Sequence, residues 1–394
     1  MPPSPSPSKS LATALQTSLV LCERFASSLA PNASVDIPPS ESNPDAPSSL
    51  SLLNAAATSL RSQATKLSLL SITAPFTPSA VATCLAPLNE SILTSLVTAA
   101  LLTTPEQFTP SFAAECRSIA AAALRDTESV LRLLEKRSQK TNPKAEVTEL
   151  EKKAFTEATG RVWDDCDKLT ALADGGVPGY VVHKSQQWLE LMKDAVKELE
   201  DWDPEEDIDD EDLFGESLSD DEDDEDDNDN DTDKDDHKHG NPQNNGRAAI
   251  SAGVKEQALK VLNRIPQSIH VVIKQRLEKM VGSTTAIDKD QITRLDTLLT
   301  HHRHISELMD ESAEGMYLGD LELCLKKAGE ARALTVQVVE AVIRPFTPPD
   351  RGGTDVETKE AQYIKRALQW IQQVDPGGVS RPTASESSAT KVHE

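Results

Sequence analysis

Apolar residues recur every three to four positions along most of this chain, the spacing of one helix face. From 50 to 71 the stripe runs Leu53, Ala57, Leu60, Ala64 and Leu67, a heptad-like repeat that predicts an amphipathic helix. Pro75 and Pro78 end it, and helical periodicity resumes at 79. Pro87 inside that run is expected to kink the helix or to start a new one. After a break at "PEQFTPSF", Pro110 is well placed for the first turn of a helix reaching about residue 140. A further helix over 145–172 turns Phe155, Ala158, Val162, Cys166 and Leu169 inward, and "ADGGVPG" reads as a plain turn. The segment 181–202 then presents Trp188, Leu191, Met192, Ala195 and Leu199 on one face. If that face packs into a core, Trp188→Ala should cost about 3–5 kcal/mol.

Beyond a polar interval the same periodicity returns. Helices are predicted over 248–282, with Pro266 as a kink, and over 288–312, 318–344 and 357–374. Their inward residues include Ala258, Ile265, Leu295, Ile305, Val338 and Ile364. Wide stripes need several neighbours to cover them, and antiparallel bundles with short connections do this economically. Helices of 20 to 30 residues span roughly 30–45 Å, so the expected bundles are elongated.

Composition agrees with this all-α reading. Aromatic residues make up 4% of the 394 residues, and Ala, Leu and Ser dominate the first 140. Such a core suits close-packed helices better than sheets, which favour β-branched and aromatic residues. The expected organisation is a Ser/Pro-rich N-terminus with one helix (1–47), an N-terminal bundle (48–203), an acidic disordered linker (204–247), a C-terminal bundle (248–375) and a disordered tail (376–394). No run of 18 or more uncharged apolar residues occurs, and "MPPSPSPSKS" has no secretory pattern, so neither membrane nor export is expected. The five cysteines, Cys22, Cys84, Cys116, Cys166 and Cys324, form no CxxC pair and read as reduced, buried thiols of a nuclear or cytosolic protein.

Charge changes the picture once it is localised. The net charge is −25, from 65 acidic and 40 basic residues. Between Glu198 and Asp236 stand 25 Asp and Glu against a single Lys234, while the remainder holds 40 acidic and 39 basic residues. The body is therefore nearly neutral and carries one concentrated acidic run. Without a basic excess, direct nucleic-acid binding is not expected. Like charge at this density repels itself, so the run reads as an extended tether. It holds no Gly in a register that would complete an EF-hand loop, so no calcium site is expected.

Chemistry-bearing motifs are few. No phosphate-binding glycine loop, nucleophile elbow or HExxH sequence occurs. His301 and His304 are three apart with Glu307 nearby, but a metal needs three or four convergent ligands, and His302 falls on the apolar stripe itself. The expectation is no enzyme, no cofactor and no metal. Ser217 and Ser219 each have a carboxylate three residues downstream, which makes them candidate phosphorylation sites for acidophilic kinases.

Three blocks, "TGRVWDDCDKLTALADGG" (159–176), "VHKSQQWLELMKDAVKELEDW" (182–202) and "GMYLGDLELCLKKAGEARALTVQVVEAV" (315–342), together resemble the cyclin-D-binding, or cyclin-D-interacting, protein family. The resemblance implies a vinculin- or catenin-like bundle without enzymatic activity, working in nucleus and cytoplasm. It also implies regulatory partners, either a D-type cyclin or transcription factors of the helix-loop-helix type. The chain departs from the family in its Ser/Pro-rich start and its long acidic insertion. A second reading comes from the acidic run alone: a histone or basic-protein chaperone in which the carboxylates mimic nucleic acid.

Overall fold

The structure, a computed structural model, describes residues 7–31, 33, 48–140, 146–203, 242–282, 287–346 and 358–374. The expected disorder of 204–241 and 376–394, and the Ser217 and Ser219 sites, lie outside the described residues; 242–247, expected to belong to the disordered linker, instead form the start of a helix at Pro242. Among the described residues the ordered structure is helical throughout, so the fold is all-α. By packing, the chain divides into one unit of 1–183 with 281–297 and another of 184–280 with 298–394. These bounds cut the chain elsewhere than the composition does, because helices continue where composition changes.

The first unit is built from α1 (Pro7–Ser28), α2 (Ser49–Ile72), α3 (Pro78–Pro87), α4 (Leu93–Leu102), α5 (Pro110–Ser138) and the part of α6 (Glu149–Asp201) up to residue 183. Its helix starts are written locally. Ser48 accepts a hydrogen bond from the Ser51 amide, and Thr109 accepts one from the Phe112 amide with Pro110 following it. Thr148 and Glu151 exchange bonds as a capping box at the start of α6. The predicted stripe on α2 is buried in full, from Leu53 at 0% exposure to Ala64 at 3%. The helix in the Ser/Pro-rich N-terminus is an integral member of this unit: α1 packs on α3 and α5, burying Leu11, Leu15, Leu19 and Cys22.

Pro87 does interrupt its helix. It has no N–H to give, and the chain runs through a π-turn over Leu88–Ile92 before α4 begins. The wider turn puts Asn89 against α1, where Asn89 donates to the Ala14 carbonyl at 3.1 Å and accepts from Ser18 Oγ at 2.6 Å. By length and composition the stretch Pro78–Leu102 could cross a membrane, with a mean hydropathy of 1.4. In the fold its apolar positions Val81, Leu85, Leu88, Leu93 and Leu96 are instead buried within the unit.

The "ADGGVPG" stretch is not the plain turn that its composition suggests. Helical hydrogen bonding carries through it, and Gly176 alone leaves helical geometry (φ 56°, ψ −160°), so α6 is kinked there. Paired contacts of Asp174, Asp167 and Trp163 on α6 with Asn54, Arg61 and Thr65 on α2 show the two helices antiparallel.

The second unit holds the rest of α6, α7 (Pro242–Leu262), α8 (Arg264–Val272), α9 (Lys289–Tyr317) from residue 298, α10 (Leu321–Ala341) and α11 (Lys359–Gln372). Pro266 is tolerated in the first turn of α8, where amides lack helical partners anyway, and the break falls at Asn263. α8 continues through a π-turn (Ile273–Leu277) and a 3-10 turn (Glu278–Met280). Carbonyls left open at helix C-termini are closed by arginines. Arg276 donates to Val342 and Ile343 at 2.8 and 3.0 Å, and Arg332 to Ile371 and Gln372 at 3.1 and 2.9 Å.

α9 and α10 form a hairpin turned by Gly319 at φ 72°. They touch at backbone distance: Ser312 Oγ donates to the Cys324 carbonyl at 2.9 Å. A Cβ on Gly315 would lie 2.8 Å from the Cys324 amide nitrogen and 3.2 Å from the Asp320 carbonyl oxygen. Backbone atoms cannot swing aside, so Gly315→Ala should force the helices apart. We expect a loss of about 1–3 kcal/mol, the usual cost of overpacking, read as a lower melting temperature.

Candidate functional site

The helix α6 carries the residues that sequence reasoning singled out, and the structure rearranges them. Val181, Ser185, Leu189, Met192, Val196 and Leu199 are the buried set of its second half. Met192, Ala195 and Leu199 are inside as expected, but Trp188 is only half-buried and Leu191 is 52% exposed. Trp188 is thus not the core anchor that the hydrophobic pattern indicates. The cause is Ser185, a polar residue at 0% exposure that belongs to the inward stripe. A pattern drawn on hydrophobicity skips it and shifts the helix face by one residue.

Ser185 can be inside because His302 is opposite. His302 Nδ1 lies 2.9 Å from Ser185 Oγ, and the residue is fully buried on α9. Its Nε2 has no hydrogen-bond partner, and burial pushes its pKa down to about 3, so the ring is neutral in the fold. His301 is half-buried and His304 exposed, and among the described residues no group of three His, Cys, Asp or Glu converges to hold a metal. Cys22, Cys116, Cys166 and Cys324 are buried free thiols, and burial raises the pKa of each. Cys324 therefore lacks the lowered pKa of a nucleophile, although Lys326 and Lys327 follow it closely in the chain.

A second polar pair sits in the first unit. Asp165 on α6 is 7% exposed, with its Oδ2 buried without a hydrogen-bond partner, and it lies near Asp126 on α5, which Arg161 holds at 2.9 Å. Burial, then the Asp126 charge, push the Asp165 carboxyl up to about 6. Nothing in the sequence pattern marks this pair, because the two aspartates are 39 positions apart.

The fold and these sites define a class: an all-α bundle protein whose polar interior serves packing and whose α6 exposes an apolar edge. Residues 52–205 match the family described as Grap2 and cyclin-D-interacting, N-terminal. The match overlaps the first two sequence blocks, so that stretch is similar to the cyclin-D-interacting family, as those blocks imply. The match covers most of α2 through α6 and ends a few residues into the acidic run, so the third block, 315–342, lies outside it. No curated protein matches the chain.

Three outcomes follow. Trp188→Ala should cost well under the 3–5 kcal/mol of an emptied aromatic core site, whereas Leu189→Ala should cost about 2–5 kcal/mol; thermal melts compare the two. The folded pKa of Asp165 is raised, so its contribution is full below pH 4 and is lost as pH rises through 6. Asp165→Asn should therefore stabilise by about 1–3 kcal/mol at pH 7 and by little at pH 4. His302 has the opposite sign: with a folded pKa depressed to about 3, its contribution is present above pH 6.5 and lost as pH falls below it. Urea titrations of His302→Gln should show a flatter loss of stability between pH 6.5 and 4 than the parent.

Proposed function

We propose that this chain is a non-enzymatic protein-interaction regulator, similar to cyclin-D-binding proteins that restrain cell-cycle and transcription signalling. The observation that carries the reading is the exposed edge of α6, inside the stretch matched to the cyclin-D-interacting family. There Leu191 is 52% exposed, with Trp188 half-exposed one turn earlier on the same face. Aromatic and aliphatic side chains that stand partly clear of the core are what a helical partner surface buries first. The family name supports a D-type cyclin as partner, and the nucleus and cytoplasm are where such a protein would work.

The tagged chain is expected to retain a D-type cyclin in a pull-down. Leu191→Asp should weaken that capture at least tenfold while leaving the melting temperature unchanged, because the side chain contributes little to the core. Recovery of metabolic enzymes alone, or undiminished capture by the variant, would overturn the assignment. The acidic run supports the second reading, a chaperone of histones or other basic proteins. Deleting 204–236 would abolish histone capture under that reading and leave cyclin capture intact under the first.

A further inference from the structure

The second unit carries a basic face that the cyclin-directed reading does not use. Lys274 and Lys279 are exposed on the α8 segment, and Lys359, Lys365 and Arg366 are exposed on α11. α8 and its continuation pack directly on α11. They run antiparallel: Arg264 donates to the Trp370 carbonyl at 2.5 Å at one end, and Lys279 with Arg276 faces Glu360 at the other. The carboxylates on these two described segments are Glu278, paired with Lys274 at 2.7 Å, and Glu360. Positive charge is therefore in excess along both helices. Two aromatic rings are set among the guanidinium groups, Arg264 over Trp370 at 4.9 Å and Arg366 over Tyr363 at 5.9 Å, with Tyr363 52% exposed.

The start of the acidic run is tied beside this face. Lys255 donates to the carbonyls of Glu200 and Trp202, and Asn263 donates to the Glu200 carboxylate at 2.9 Å. Asn263 immediately precedes Arg264, the first residue of the basic segment. The far end of the run returns to the same unit at Pro242, the start of α7. Between Asp203 and Pro242 stand 38 residues. Extended, they could cover roughly 125 Å, several times the length of about 25 Å for 264–280 as a helix.

We propose that the basic face of α8 and α11 is the docking site for the chain's own acidic run, residues 205–236. Charge complementarity selects a polyanion, and a run whose start is held next to the face and whose far end rejoins the same unit has an effective concentration that a free polyanion does not reach. The attraction acts between solvent-exposed charges and falls as salt shortens its range. Docking of this kind also sets a threshold for basic partners, which must displace the face before they meet the carboxylates. The inference is independent of the cyclin reading, since it uses neither Trp188 nor Leu191.

The test is a zero-length carbodiimide cross-link, which joins lysines to carboxylates in contact, on the full-length chain with mass-spectrometric mapping. At about 50 mM salt Lys274, Lys279, Lys359 and Lys365 should couple to carboxylates of 205–236 within single chains, and the yield should fall severalfold at about 500 mM. Coupling spread evenly over the lysines of the chain, or found only between two copies, would overturn the proposal. The triple variant Lys274→Glu, Lys279→Glu and Arg366→Glu should lose the remaining couplings and bind polylysine at least fivefold more tightly, its fold checked by circular dichroism. Unchanged polylysine affinity in the folded variant would refute the docking; if the variant fails to fold, the parent's cross-link map still decides.

Discussion

With aromatic residues at 4% of the chain, its core has to be made of Leu and Ala, and such a core excludes water only where helices lie close. Much of the structure follows from that constraint. α1 reaches α3 and α5 through Leu11, Leu15 and Leu19. α5 turns Ala113, Ala120, Ala121 and Ala123 inward beside Leu124 and Leu131. The hairpin of α9 and α10 carries the principle furthest, since at Gly315 there is no room even for a methyl group. Small side chains here set the distance between helices, and the leucines fill what remains.

Close helices leave little space for water to satisfy helix ends and interior polar groups, so side chains do it. Arginines close the C-terminal carbonyls of α10 and α11, and Thr and Ser cap the N-termini of α2, α5 and α11. Inside the units, Ser185 meets His302 and Asp165 meets Asp126. These pairs have the burial and shifted pKa values that often accompany catalysis, yet each sits between helices and has packing partners as its context. The two pairs also titrate in opposite senses, so acid is expected to weigh on the two units differently.

Under the proposed function, partner binding would fall to surfaces. The α6 edge offers apolar area inside the family stretch, and the α8 and α11 face offers charge outside it. They differ in the physics of recognition, since burial of Leu191 is insensitive to salt whereas lysine contacts are screened. Keeping one kind of partner on each surface would let the same chain respond separately to an apolar ligand and to a polyanion.

By itself the sequence determined the helical class, the stripes of α2 and of the first half of α6, the break at Pro87, the concentration of acid in one run, and the similarity to the cyclin-D-interacting family. These depend on local periodicity, on proline chemistry and on blocks of residues in order, which a linear reading captures. Tertiary structure decided the rest. It brought the N-terminal helix into the first unit, turned "ADGGVPG" into a kink at a single glycine, and rotated the second half of α6 so that Leu189 went in and Trp188 did not. The reason in each case is a contact between residues far apart in the chain. Ser185 is admitted to the core by His302, 117 positions away, and no property of either residue taken alone announces the other.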